Sequence, residues 1–156
     1  MLLIEAQELS EILVTNGLTI SVAESCTGGS LSNAFTRIPG ASSYFDSGYI
    51  TYSNQSKVEM LGVDIQTIKT YGAVSEEVAL EMVIGVVTKS HSDIAISITG
   101  VAGPTGGTLE KPVGMVCFGF YSDDKTSTST QLFSGDRASI VSQSVSYAMR
   151  QLFLRF

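Results

Sequence analysis

Tryptophan is absent, and the 156 residues include only three prolines, one histidine and two cysteines. Cys26 and Cys117 match no metal-ligand spacing and are too few for a disulfide framework, so reduced thiols are expected. With His91 the lone histidine, in a loop before a strand, no metal site is predicted. Basic residues are scarce too: nine Lys and Arg against fifteen Asp and Glu leave a formal charge of −6. Gripping a nucleic-acid backbone requires clustered cations, so a nucleic-acid-binding factor conflicts with this balance. An anion must instead be held locally, by a helix N-terminus, a glycine-rich turn or a single arginine, which points to a small phosphorylated molecule rather than a polymer. No run reaches the ~18 apolar residues of a membrane span. Met1-Leu2-Leu3-Ile4 is interrupted by Glu5, Glu8 and Glu11 with no positive residue before it, so no signal sequence and a cytoplasmic location are expected.

What is present suffices for a full core. Hydrophobic residues make up 44% and charged residues 15% of the chain, and mean hydropathy is +0.26. That excludes disorder and, at this length, predicts one domain over 1–156. The stretch from Leu18 to Ala23 alternates apolar and small polar residues, as a strand does, and Leu31, Ala34 and Phe35 then fall at helical spacing. Between them lies Ser25-Cys26-Thr27-Gly28-Gly29. Strand, tight turn and helix leave backbone N–H groups at a helix start, where the macrodipole favours an anion and glycines admit a ligand closely. Ser25 and Thr27 are placed for chemistry there, or they merely cap the helix.

Along the chain, residues 3–16 form an amphipathic helix with Leu3, Ile4, Ala6, Leu9, Ile12 and Leu13 on one face, stopped by Asn16-Gly17. The second helix spans 27–37 and ends before Pro39-Gly40. A short helical or irregular segment at 41–45 precedes a strand at 48–52 and a helix at 54–61 with Lys57 in its first turn. Helices at 64–71 and from Ser75 to Lys89 lead to a buried strand at 94–99 and a glycine-dense loop at 99–107. Strands at 113–121 and 127–133 form a hairpin around Asp123-Asp124-Lys125. Ser134-Gly135-Asp136-Arg137 opens a final helix with Ile140, Val141, Val145, Ala148, Met149 and Leu152 inward. Early strand–helix alternation and the late hairpin predict an α/β fold: a three-layer α/β/α sandwich with a mixed β-sheet.

The glycine-dense loop is neither a Walker A loop nor a G-x-G-x-x-G fingerprint, so generic nucleotide binding is unsupported. It stands where ligands bind in α/β sheets, or it is a structural turn. Lys57 near a helix start opposes the macrodipole, an effect under about one pKa unit, whereas a lysine base near neutral pH needs roughly three; desolvation must supply the rest. The alternative is an exposed, solubilising lysine. Arg137, also at a helix start, either pairs with Asp136 or awaits a phosphate. Cys26 is a nucleophile candidate without a base and reads better as a small buried residue. Tyr52, five residues before Lys57 at a strand end, donates a hydrogen bond in a site or covers the sheet.

Taken together, Ala23-Glu24-Ser25-Cys26-Thr27-Gly28-Gly29, Thr51-Tyr52-Ser53-Asn54 with Lys57, Gly72-Ala73-Val74-Ser75, Thr99-Gly100-Val101-Ala102-Gly103-Pro104, Lys111-Pro112-Val113-Gly114 and Ser134-Gly135-Asp136-Arg137 resemble the C-terminal CinA family. The resemblance implies a nicotinamide-nucleotide amidohydrolase that converts nicotinamide mononucleotide to nicotinate mononucleotide and ammonia in pyridine-nucleotide salvage. It implies Ser25 as nucleophile, Lys57 as general base, Tyr52 supporting the pair, Thr99 in the site with Gly100 and Gly103 of its loop, and Arg137 near the substrate phosphate. The backbone N–H groups of Cys26 and Thr27, in the turn with Gly28, are the expected oxyanion donors. No metal or cofactor is required, and a homodimer or higher homo-oligomer is expected. Many relatives carry a further N-terminal half with nucleotide pyrophosphatase activity, so this chain is expected to act as a stand-alone deamidase. The competing reading is a catalytically silent nucleotide-binding module, regulatory in competence or DNA-damage responses.

Overall fold

The computed structural model describes residues 2–156, with side chains from Ile4 onward. In chain order the elements are α1 (Leu2–Asn16), β1 (Ile20–Glu24), α2 (Ser30–Thr36), a 3-10 turn (Ala41–Ser43), β2 (Phe45–Ile50), α3 (Asn54–Leu61), α4 (Ile65–Tyr71), α5 (Glu76–Ser90), β3 (Ile94–Gly100), β4 (Met115–Ser122), β5 (Lys125–Leu132) and α6 (Arg137–Phe153). The strands make one five-stranded sheet in the order β2-β1-β3-β4-β5. β1 runs parallel to both β2 and β3, whereas β4 and β5 are antiparallel. Helices cover both faces, which is the three-layer α/β/α sandwich with a mixed sheet. Among the described residues no helix is long and apolar enough to cross a membrane.

The two faces are built from different residues of the same strands, because side chains alternate along a strand. Ile94, Ile96 and Ile98 of β3 join Val116, Phe118 and Phe120 of β4 in a large-residue core under α1, α2 and α6. On the other face Ala23 and Ala95 pack with Val78, Met82, Val83 and Val86 of α5. Small residues there let α5 lie close to the sheet, and Ser97 donates from Oγ to Ala79 O at 2.6 Å. Helix starts follow the polar caps in the sequence: Ser53, Asp64, Ser75 and Asp136 each accept a backbone N–H from the first turn of α3, α4, α5 and α6.

Some expectations shift. β2 starts three residues earlier than predicted and stops at Ile50, which leaves Thr51 and Tyr52 free to turn. α2 begins at Ser30 rather than at residue 27, because Gly28 and Gly29 take φ of 55° and 108°, outside helical backbone. The β4–β5 turn is Asp123-Asp124, both left-handed with φ of 51° and 57°, the two-residue geometry that matches strand twist. Ile4 is 62% exposed rather than on the buried face of α1; at 3.6 residues per turn it lies roughly 160° around from Ala6. The side chain of Leu3, predicted on that face, lies outside the described residues.

α3 is held against α5 at Gly85, where a Cβ would meet Leu61 O at 2.2 Å. Gly85→Ala must therefore separate the two helices. Its urea-unfolding midpoint should fall, by an amount equivalent to about 1–3 kcal/mol; an unchanged midpoint would show that the contact relaxes freely.

Candidate active site

Because β1 lies between β2 and β3, the chain leaves β1 towards one side and later returns on the other, and the carboxyl ends of the parallel strands open a crevice at that switch. Three strand ends deliver the polar groups. Ser25 follows β1, with its N–H donated to Ile98 O of β3 at 3.0 Å. Thr51 follows β2, with its N–H donated to Glu24 O at 2.9 Å. Thr99 stands near the end of β3 and donates from Oγ1 to Ala73 O at 2.9 Å, tying the strand to the loop at 72–74. Lys111 supports the same loop by donating to Tyr71 O and Val74 O.

The first turns of α3 carry Lys57 back over these ends. Its Nζ lies 2.9 Å from Ser25 Oγ, 2.8 Å from Thr51 O and 3.3 Å from Tyr52 O, and the residue is only 1% exposed. The solubilising alternative is excluded. No carboxylate pairs with the amine; among the described residues the one ion pair is Arg150 with Glu5. Burial pulls the Lys57 pKa down from the usual lysine value to about 8. A neutral amine has two N–H donors and one lone pair. Two carbonyls and one hydroxyl surround it, so the lone pair can face the Ser25 hydroxyl while both N–H groups are satisfied.

The turn after Ser25 is pinned by Gly28 N–H to Ser25 O and Ser30 N–H to Thr27 O, at 3.1 and 2.9 Å. Among the described residues no other residue accepts a hydrogen bond from the amides of Cys26 and Thr27. The start of α2, in contrast, is not open to a ligand. The buried Glu24 carboxylate takes Leu31 N–H at 2.8 Å and Ser32 N–H at 2.9 Å, together with the hydroxyls of Thr27 and Ser32, each at 2.7 Å. The anion favoured at that helix start is therefore the chain's own side chain.

Cys26 is buried, and burial pushes its thiol up to about 12, so it carries no thiolate at neutral pH. Tyr52 reaches the amine through its carbonyl rather than its phenol. The residue is 58% exposed, and its hydroxyl accepts from Arg137 Nη2 at 2.7 Å. Arg137 Nη1 donates to Gly103 O at 2.7 Å. Asp136 is not its partner, because that carboxylate caps α6 through Ser139 N–H at 2.8 Å.

A cleft of about 360 Å³ brings together Ser25, Cys26, Tyr52, Lys57, Thr99, Gly100, Gly103 and Arg137, within the range of small-molecule sites. Thr27 and Gly28 sit in the turn and do not line it. Asn54, Ala73 and Val74 do, without having been picked out as site residues. Glu24 was missed as well; its place next to the serine and seven residues before Leu31 was the available signal. A larger groove of about 600 Å³ between α2 and α6 shares Arg137 but contains neither Ser25 nor Lys57, which both line the smaller cleft.

Residues 4–155 match the CinA C-terminal domain family. The chain belongs to that family. It is 45% identical over 150 residues to the nicotinamide-nucleotide amidohydrolase PncC of Enterobacter agglomerans, covering 96% of this chain and 92% of that protein. A CinA-like protein of Chloroherpeton thalassium is 50% identical over 135 residues, which are 84% of this chain but 32% of that longer protein. The crystal structure of a competence-damaged protein (CinA) superfamily protein from Escherichia coli superposes with a TM-score of 0.96 at 33% identity, covering 100% of this chain and 91% of that one.

An amine at about 8 in the folded chain and near 10.4 when unfolded makes stability pH-dependent. The folded state binds fewer protons between these values, so stability rises with pH across that window and the cost of the buried charge is fully present below it. Urea unfolding of the wild type should gain roughly 3 kcal/mol from pH 8 to 10.5 relative to Lys57→Met. Parallel pH profiles for the two proteins would mean that the amine is not desolvated.

Proposed function

We propose that this chain hydrolyses the carboxamide of nicotinamide mononucleotide to nicotinate mononucleotide and ammonia, with Ser25 as nucleophile and Lys57 as general base, and so serves pyridine-nucleotide salvage. The observation that carries the reading is the 2.9 Å contact between the buried amine and the serine hydroxyl. The name of the relative from Enterobacter agglomerans, a nicotinamide-nucleotide amidohydrolase, supplies the substrate class.

Neutral Lys57 takes the proton of Ser25 Oγ as that oxygen attacks the carboxamide carbon. The carbonyl π electrons move onto oxygen, and the amides of Cys26 and Thr27, which donate to no other residue among those described, are its donors. Lysinium 57 then protonates the departing nitrogen as the C–N bond breaks, releasing ammonia and leaving an ester on Ser25. Water gives its proton to Lys57 and attacks the ester carbon; the acid leaves, and Ser25 regains the proton from Lys57. Arg137, at the rim of the cleft, is the cation available for the substrate phosphate. Tyr52 and Gly103 orient its guanidinium, and Gly100 and Thr99 complete the wall behind the serine.

Ammonia release from nicotinamide mononucleotide should be abolished in Ser25→Ala and retained in Cys26→Ala. Loss only in the cysteine variant would transfer the nucleophile, and an inactive wild type would favour a silent nucleotide-binding module. For the wild type, log kcat/KM should climb with unit slope as pH rises towards about 8 and level off above it, because the neutral amine is the working form. Arg137→Ala should raise KM by roughly 10-fold or more with a smaller change in kcat, the loss of a charge-assisted contact; an unchanged KM would place the phosphate elsewhere.

A further inference from the structure

We infer that Glu24 is the positioning residue of this site: its carboxylate ties Thr27, in the turn after Ser25, to the first turn of α2 and thereby aims the amide of Cys26, which lines the cleft, at the reacting carbonyl. This inference rests on the Ser25–Lys57 reading above. Glu24 is the last residue of β1 and is fully buried. Like Ile20 and Val22, it points to the α2 face of the sheet.

The bonding is divided evenly between its two oxygens. Oε1 accepts from Leu31 N–H and Thr27 Oγ1, and Oε2 accepts from Ser32 N–H and Ser32 Oγ. Thr27 lies on the catalytic turn and Leu31 and Ser32 on the first turn of α2, so one side chain ties the residue before the nucleophile to the turn and to the helix behind it. The glycines at 28 and 29 give that turn its left-handed backbone but no stiffness; the carboxylate supplies it. A backbone N–H can only donate, and each oxygen faces one. The site is therefore specific for an acceptor at both positions, a demand that glutamine cannot meet, since its –NH₂ would confront one of the two amides.

Glu24 touches neither Ser25 Oγ nor Lys57 Nζ, so its effect should appear in the transition state alone. In Glu24→Gln we expect kcat for nicotinamide mononucleotide to fall by roughly 10²-fold, the usual loss when an oxyanion donor is misplaced. KM should change less than about threefold, and the pH inflection near 8 should stay in place, because Lys57 is untouched. A folded Glu24→Gln protein with wild-type kcat, with a loss confined to KM, or with a displaced pH inflection would overturn the assignment. Should that variant fail to fold, Thr27→Ala and Ser32→Ala, which each remove one hydroxyl donor, must each lower kcat; wild-type kcat in either also overturns it. Labelling of Ser25 by a fluorophosphonate separates this inference from the substrate reading. A wild type that labels but releases no ammonia refutes the substrate, and Glu24 then stands if Glu24→Gln labels at least tenfold more slowly and falls if it labels at the wild-type rate. A wild type that neither labels nor deamidates refutes both.

Discussion

A primary amine held out of water without a carboxylate beside it is the constraint around which this structure is arranged. Desolvating an ammonium is costly, and a protein ordinarily pairs it or leaves its tip in solvent. Lys57 has neither outlet. Its Nζ ends among Thr51 O, Tyr52 O and Ser25 Oγ, three groups supplied by the ends of two neighbouring parallel strands. Those ends meet because β1 and β2, after a one-residue shift between Ile20 and Ser21, pair in register from Ser21 and Ser47 to Glu24 and Ile50. Lys57 reaches them only because α3 starts at once after Ser53 and is pressed onto α5, where Gly85 admits Leu61 O. Register, cap and close helix contact are each ordinary; their joint product is an amine that gives up its proton more readily than an exposed lysine does.

The one buried carboxylate nearby is kept away from that amine by its own bonding. If Glu24 paired with Lys57, the opposite charge would favour lysinium and raise the pKa, against the lowering to about 8. Glu24 instead spends its acceptor capacity on Thr27, Leu31 and Ser32. The two buried charge-bearing residues thus lie on either side of the serine turn with separate partners. One stabilises an anion with amides and hydroxyls, and the other destabilises a cation by burial.

Much of this was legible in the residue pattern, for reasons that are local. Ser53, Asp64, Ser75 and Asp136 announce helix starts because cap chemistry depends on neighbours two or three residues away, and α3 begins and ends where those signals put it. The near-continuous apolar run from Ile94 to Thr99 marks a buried strand by its own composition. Lys57 was readable as a base only conditionally, since burial is a property of the assembled sheet and α5 rather than of residues 54–61. Tyr52 illustrates the limit most sharply: its position near the amine was visible, but its phenol turns outward to Arg137 while its carbonyl does the work inside. Backbone acceptors carry no residue signature, and for that reason Thr51 and Ala73 were also silent. Glu24 lay inside a motif that was read for its hydroxyls and glycines; an acid followed at three, seven and eight residues by its donors is a pattern that only a turn folded back on itself can satisfy.

The same burial acts in opposite directions on adjacent chemistry, and this supports the hydroxyl rather than the thiol as the proposed nucleophile. Burial pushes the Cys26 thiol up to about 12 and brings the Lys57 amine down to about 8, because in each case the uncharged form is favoured. A cysteine mechanism depends on thiolate, which such an environment suppresses by several orders of magnitude at neutral pH. A serine–lysine pair starts from two neutral partners and develops charge only as the bond forms, at a point where amides that donate to no other residue among those described are available to receive it. Placing a hydroxyl rather than a thiol against the amine, one residue apart in the same turn, lets the burial that lowers the amine act without requiring a charged nucleophile beside it.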